Sequence, residues 1–312
     1  MSSNLNEIVV LTPVFEDFDA ATKLFNEIKS LYGRKYSLVV VDDGSIENPI
    51  NSQILSNLEI NGSIITLKRN VGHQKAIAVG LNYISDTSPK STVVIMDSDG
   101  EDAPVNINNL LKSLVSNVDV VVAQRRKRKE SIQFRLFYFV YKFLFKTLTG
   151  RTINFGNYMA IKPQAVKRLV SMRELWIHVA GCVLMSKLRI SNCLLDREAR
   201  YAGQSKMNFI GLALHGFKGL MVFSEDVMVR VGVACTLVAF LSLAGASLAI
   251  LLKIIGYATP GWFSIALGIL VLVFIQTGAI TLMSLMLTGT VKNGIKDNNN
   301  YKEYIDSISY SD

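Results

Sequence analysis

Three cysteines, three histidines, two tryptophans and six prolines are spread over 312 residues. Cys182, Cys193 and Cys235 show no Cys-x-x-Cys spacing, and Cys235 lies inside a long apolar run. A disulfide framework and a thiolate zinc site are therefore excluded as organising features. The N-terminus lacks the basic segment and apolar stretch of a secretory signal. Ser, Asn and Glu lead straight into the strand-like run at 8–11, so the residues before the apolar C-terminal region are expected to stay in the cytoplasm. No internal repeat is present.

Apolar residues, by contrast, are abundant. Half of the chain is hydrophobic and the mean hydropathy is +0.31. The excess is concentrated in residues 231–252 and 262–287, both apolar on every face rather than along one stripe. Each is long enough to cross a hydrocarbon layer of about 30 Å. Gly256, Pro260 and Gly261 punctuate the stretch between them, so the pair reads as a transmembrane hairpin. Arg230 before it and Lys292 and Lys296 after it place its flanks on the cytoplasmic side.

Net charge is +8, from 33 basic and 25 acidic side chains. Between Gln124 and Arg151 stand nine Lys or Arg residues and one acid, Glu130. Nucleic acid is the generic partner of such a cluster. Beside a membrane hairpin, anionic headgroups or a lipid phosphate fit better, and nucleic acid is not expected. Residues 131–148 and 207–223 are aromatic and apolar with few charges, the composition of helices lying in a membrane interface.

The first hundred or so residues alternate β-branched runs with helical spacing. Strands are expected at 8–11, 37–41, 63–67, 92–96 and 119–123, and helices at 20–31, 74–84 and 106–116. This alternation implies βαβ units and a mostly parallel sheet. Ligands of such sheets bind beyond the carboxyl ends of the strands, and the polar clusters fall at those ends.

The cluster after the fourth strand is Asp97-Ser98-Asp99-Gly100-Glu101-Asp102-Ala103-Pro104. Two carboxylates one residue apart can hold a hard divalent cation, with Glu101 as a third oxygen ligand and Pro104 starting the next helix. Asp42-Asp43-Gly44-Ser45 supplies acceptors for a nucleobase or ribose, and Glu16, after Pro13 and Val14, lies at the pocket edge. A βα turn capped by Asp is the structural alternative. Lys68, Arg69, Asn70, Gly72 and His73 place cations beside the expected diphosphate site.

These segments, in this order, resemble glycosyltransferase family 2, specifically its polyprenyl-phosphate branch of dolichyl-phosphate mannose synthase and bactoprenol glucosyltransferase type. The resemblance covers nearly the whole chain. It implies a GT-A (Rossmann-like) α/β domain with amphipathic interface helices and a C-terminal two-helix transmembrane hairpin. It further implies that Pro13, Val14, Glu16, Asp42, Asp43, Lys68, Arg69, Asn70, Gly72, His73 and Ser98 bind a nucleotide sugar. Asp97 and Asp99, with Glu101, would carry Mg²⁺ or Mn²⁺ against the diphosphate. Arg200-Tyr201-Ala202-Gly203-Gln204-Ser205-Lys206 looks like the family's Arg-x-x-Gly-Glu-Ser-Lys segment, so Arg200 and Lys206 would face phosphates. Arg125 and Arg126 stand where the family keeps arginines near the acceptor phosphate.

Two departures stand out. Gln204 replaces a commoner Glu, and Phe155-Gly156-Asn157-Tyr158 stands where the family commonly has Gly-Asp-Phe, whose Asp has been considered a catalytic base. A phosphate monoester has a second pKa of about 6, so such an acceptor is already charged and needs no base. Asn157 is left as an acceptor-positioning residue. The reading is an inverting hexosyl transfer from a nucleoside-diphosphate sugar to a polyprenyl phosphate at the cytoplasmic membrane face. The rivals are a family 2 transferase with a non-lipid acceptor and a non-catalytic nucleotide-binding membrane scaffold. The expected divisions are 1–130 (nucleotide-sugar core), 131–226 (acceptor side and membrane interface), 227–290 (hairpin) and 291–312 (a flexible cytoplasmic tail). A homo-oligomer in the bilayer is compatible with such relatives.

Overall fold

The computed structural model describes residues 7–51, 53–125, 132–196, 198–201, 209–257, 261–293 and 300–311. It opens with β1 (Ile8–Val14), α1 (Phe18–Tyr32), β2 (Tyr36–Asp42), α2 (Gln53–Asn57) and β3 (Gly62–Leu67). Next come α3 (His73–Thr87), β4 (Thr92–Ile95), α4 (Ile107–Ser113) and β5 (Val120–Arg125). All the expected strands and helices of this region are present. Pro104 begins a 3-10 turn, Pro104–Asn106, that leads into α4.

The chain continues through α5 (Ile132–Thr149), β6 (Met159–Ile161), α6 (Pro163–Val170), α7 (Val179–Met185), β7 (Ile190–Leu195) and α8 (Phe209–Met221). It ends with α9 (Ser224–Ile254), α10 (Trp262–Asn293) and β8 (Ile305–Tyr310). Contact density divides the molecule into two units. One holds the sheet, and the other holds residues 139–152 and 223–297.

The strands form one eight-stranded sheet of order β7-β5-β6-β4-β1-β2-β3-β8. β1 pairs in parallel with β2 and β4, β2 with β3, and β5 with β7. β6 lies antiparallel between β4 and β5, and β8 lies antiparallel to β3. Side chains alternate across the pleat, so each strand serves two cores. Val10, Leu38, Val40 and Ile64 pack with Leu24, Phe25 and Ile28 of α1. Leu11, Val39, Val41 and Ile65 pack with Ile77, Val79 and Leu81 of α3. Burial on both faces explains why the strands read as continuous apolar runs.

The expected flexible tail is corrected by the structure. Residues 294–299 lie outside the described residues, but Tyr301–Tyr304 forms a 3-10 turn and β8 caps the open edge of β3. Trp176 stacks on Tyr304 with ring centroids 5.4 Å apart, and the Tyr301 hydroxyl donates to Asp86 at 2.8 Å. Backbone pairing and two aromatic anchors outweigh the polar composition that marked this segment as loose.

In the second unit, α9 and α10 pack along each other, and most of their described side chains are exposed. With 31 and 32 residues, each is long and apolar enough to span a bilayer. Phe145 of α5 packs edge-on against Phe223, while Phe139 and Phe143 point outward. In the first unit, α8 likewise exposes Leu214, Phe217 and Met221. α5 and α8 thus each present apolar side chains outward, in the two segments singled out by composition.

Candidate functional site

From β1 the chain steps outward through β2 and β3, then returns to the far side of β1 as β4. The crevice at the carboxyl ends of β1 and β4 is thus the switch point of the sheet, where ligands of open α/β folds bind. The loops after β1, β2, β3 and β4 gather there.

The acids of the first two loops build the wall of this crevice. Asp42 is buried and accepts from the Ser45 and Ile50 N–H groups, both at 2.9 Å. Asp43, also buried, accepts from Val71 N–H at 2.8 Å and Gly72 N–H at 2.9 Å, tying the β2 loop to the β3 loop. Glu16 accepts from the N–H groups of Ile46 (2.5 Å), Glu47 (3.1 Å) and Asn48 (2.8 Å), while its own N–H donates to Ser45 Oγ at 2.8 Å. Sequence spacing presents these residues as acceptors for base and ribose. In the structure their oxygens answer loop amides outside regular structure, those bound by Asp42 and Asp43 at least partly buried and those bound by Glu16 exposed. Burial pushes the Asp43 carboxyl up from its ordinary value, against the amides of Val71 and Gly72 that favour its charge.

Gly44 makes this clasp possible. Its φ is +71°, and a Cβ there would sit 2.5 Å from the Arg69 carbonyl carbon. Pro13 and Val14 close β1 opposite Val41 and Asp42, and Val14 accepts from Asp43 N–H at 2.8 Å. Lys68, Arg69 and Asn70 stand exposed beyond β3. Gly72, at φ +91°, caps α3, and His73 is the first residue of that helix.

The acidic turn follows β4 directly. Asp97 N–H donates to Asp102 at 3.2 Å, and Asp99 Oδ1 accepts from Glu101 N–H at 2.9 Å. The other Asp99 oxygen pairs with Arg200, whose Nε lies 3.6 Å from Glu101. Asp97 instead faces His73, with Oδ1 3.2 Å from Nε2. Ser98 is buried within the turn. Among the described residues, no three His, Cys, Asp or Glu side chains converge closely enough to hold a metal alone. Arg200 pairs with Asp99 and lies near Glu101, and His73 lies beside Asp97, so the three acids expected to share a cation are each also engaged by a cationic or imidazole neighbour. Mg²⁺ and its like characteristically take one or two carboxylates and complete their shell with phosphate and water. The hard oxygens of Asp97 and Asp99 at a strand end fit that arrangement.

Asn157 joins the same cluster. Its amide lies 2.9 Å from His73 Nε2 and accepts from Gln74 Nε2 at 3.3 Å. Gln74 in turn accepts from Val179 N–H at 2.6 Å. Crowding works against a charge on His73, but Asp97, followed by Asp43 and Asp102, outweighs it and raises the imidazole pKa. The link through Gln74 carries no sequence signal, because a glutamine in the first turn of a helix is unremarkable. Arg125 closes β5 in register with Leu195. Arg126 and Lys206 lie outside the described residues.

A switch-point crevice in a mixed sheet, an acidic turn after β4 and an antiparallel β6 beside it define the GT-A class of glycosyltransferase folds. The comparison with known proteins narrows the class. The chain belongs to glycosyl transferase family 2, whose sequence model matches residues 9–176, and it is a glycosyltransferase. It is 28% identical over 298 residues to an uncharacterized glycosyltransferase of Synechocystis sp., spanning 91% of this chain and 89% of that protein. It is 32% identical over 132 residues to the undecaprenyl-phosphate 4-deoxy-4-formamido-L-arabinose transferase of Proteus mirabilis, spanning 41% and 39% of the two chains. Glucosyl-3-phosphoglycerate synthase of Mycobacterium tuberculosis, solved with Mn²⁺, UDP-glucose and phosphoglyceric acid, shares the fold. Its TM-score is 0.52 at 16% identity, over 72% of this chain and 79% of that one.

Proposed function

We propose that the protein transfers a hexose from a nucleoside-diphosphate sugar to a polyprenyl phosphate at the cytoplasmic face of a membrane, with inversion at the anomeric carbon. The observation that carries this reading is the combination, in one family 2 chain, of an acidic switch-point turn with two helices long and apolar enough to cross a bilayer. The undecaprenyl-phosphate transferase named among its relatives supports the acceptor. The nucleotide-bound synthase of the same fold supports the donor.

In this reading Asp97 and Asp99 hold a divalent cation, Mg²⁺ or Mn²⁺, which neutralises charge on the donor diphosphate. Lys68, Arg69 and Asn70 line the diphosphate side. The loops clasped by Glu16, Asp42 and Asp43, with Pro13, Val14, Gly72 and Ser98, form the base and ribose wall. Arg125, Arg200 and Lys206 screen the phosphates, and His73 and Asn157 orient the acceptor beside Asp97. A phosphate oxygen of the lipid forms the new bond to the anomeric carbon. The bond from that carbon to the diphosphate oxygen breaks, and the nucleoside diphosphate leaves with the electron pair. A dianionic nucleophile needs positioning and charge screening rather than a base, which accounts for an asparagine at 157.

Sequence connectivity bears on topology as well. The strands before α9 and strand β8 after α10 belong to one sheet, so helices that cross a bilayer must return to the side they left. The test is incubation of the full chain in detergent with labelled nucleotide sugars, Mg²⁺ or Mn²⁺, and a short polyprenyl phosphate. Labelled glycosyl lipid is expected with one donor, and its absence with every common donor overturns the proposal.

A further inference from the structure

Residues 198–201 run alongside the acidic turn as if they were a short strand. Glu198 N–H donates to the Glu101 carbonyl at 3.2 Å, and Tyr201 N–H donates to the Asp99 carbonyl at 2.9 Å. Arg200 lies between these two bonds and reaches both Asp99 and Glu101. Two backbone bonds alone would hold such a segment weakly. Beyond these and the Arg200 pairs, Tyr201 supplies further anchors among the described residues. Its ring lies over Gly100 in the space a Cβ would occupy, its hydroxyl donates to Glu27 of α1, and its carbonyl accepts from Lys23 of α1 at 3.2 Å. Gly100 is therefore required twice, for its φ of +86° and for the aromatic ring packed on it.

We propose that Tyr201 is a positioning residue that fastens the 198–201 strap to α1 and across Gly100, so that Arg200 is held ready over the Asp97–Asp102 turn for the donor diphosphate. The strap joins two elements remote in sequence, α1 and the β4 turn, and it carries the only described arginine that contacts Asp99. Tyr201 does not touch the ligand in this scheme. It acts through Arg200, sparing that long side chain the cost of being ordered at the moment of binding. The fastening itself is a statement about the folded chain, whereas its effect on the diphosphate rests on the function proposed above.

Two measurements on the full chain in detergent separate these parts. Hydrogen exchange by mass spectrometry on the peptide spanning 196–203 reads the strap directly. Exchange there should quicken by about ten-fold or more in Tyr201→Ala and by less in Tyr201→Phe, which keeps the ring on Gly100 but loses the hydroxyl. Peptides from α3 and β1 should be unchanged. Equal protection in wild type and Tyr201→Ala overturns the proposal whatever the ligand. Calorimetric titration with UDP and Mn²⁺, then with GDP and Mn²⁺, reads the consequence. Tyr201→Ala should weaken binding by about ten-fold, and the double variant with Arg200→Ala should be little weaker than Arg200→Ala alone. Additive losses overturn the assigned route through Arg200. Wild type that binds neither nucleotide contradicts the donor reading, and the exchange result still decides the strap.

Discussion

His178 and His215 offer a sharp test of how the apolar helix α8 is fastened. His178 caps α7, and its Nδ1 accepts from Gly181 N–H at 3.0 Å. That nitrogen is therefore unprotonated, so the proton of the neutral ring sits on Nε2 and points at His215 Nε2, 3.1 Å away. His215 must accept there, so a proton added to its Nε2 breaks this bond, while one added to His178 Nδ1 breaks the bond from Gly181 N–H. Burial, then the charges of His215, Lys218 and His73, pushes His178 down to about 3. Burial, His73 and Lys218 also depress His215, against an opposing pull from Asp97. The unfolded chain takes up protons near 6.5 while the folded one does not. Stability is thus complete above that pH and falls as pH drops through the window toward the depressed folded values. At pH 5 the loss is about 2 kcal/mol for His178 alone, at about 1.36 kcal/mol per unit of separation. In a domain of this size that corresponds to a fall of roughly 4–8 °C in Tm. The assay is thermal unfolding at pH 7.5 and pH 5, for wild type and for His178→Asn/His215→Gln, in which Asn keeps the helix cap. The wild type should lose several degrees more than the variant on acidification. Equal losses would refute the reasoning.

Three further outcomes follow from the site. Gly44→Ala drives a methyl group into the Arg69 backbone at a positive φ, so stability should fall by at least about 2 kcal/mol and nucleotide binding should vanish. A Gly44→Ala variant as stable as wild type in a melting assay contradicts the clasp. Asn157→Asp places a second carboxylate beside His73, which should raise that imidazole pKa further, visible by NMR titration. It should not speed transfer to a phosphate acceptor, and a rate gain above about ten-fold would mean that a base is needed after all. Deleting residues 301–312 removes the Trp176–Tyr304 stack, the Tyr301–Asp86 bond and the pairing with β3. Denaturant unfolding should show a loss of about 3 kcal/mol or more, with aggregation through the bared β3 edge, and an unchanged midpoint would contradict the role of β8.

The sheet core was legible because Val39, Val40 and Val41, or Val93, Val94 and Ile95, are buried on both faces and so appear as unbroken apolar runs. Strand ends carrying Asp42, Asp97 and their neighbours were legible for the same reason, as polarity returns abruptly there. Other elements left weaker traces. β6 has three residues, too few for any period, and β7 alternates with Ser191, Asn192 and Cys193 on a half-exposed edge. β8 spells Ile-Asp-Ser-Ile-Ser-Tyr, which resembles a solvated tail until its partner strand is known. The acids posed a different difficulty. Spacing brings Glu16, Asp42 and Asp43 to the crevice, but whether a carboxylate turns to a ligand or to a loop amide depends, for Glu16 and Asp43, on amides 28 to 32 residues away. The His178–His215 contact spans 37 residues and follows no pattern.

The lipid-phosphate acceptor is the central claim, and competition between two acceptors tests it most directly. Wild-type protein is given its nucleotide sugar and divalent cation with equal amounts of polyprenyl phosphate and the matching polyprenol, and the glycosylated lipids are separated by mass. A site with Asn157 in place of a carboxylate should glycosylate the phosphate and leave the alcohol untouched. Comparable transfer to the alcohol, or transfer to it alone, would contradict the account.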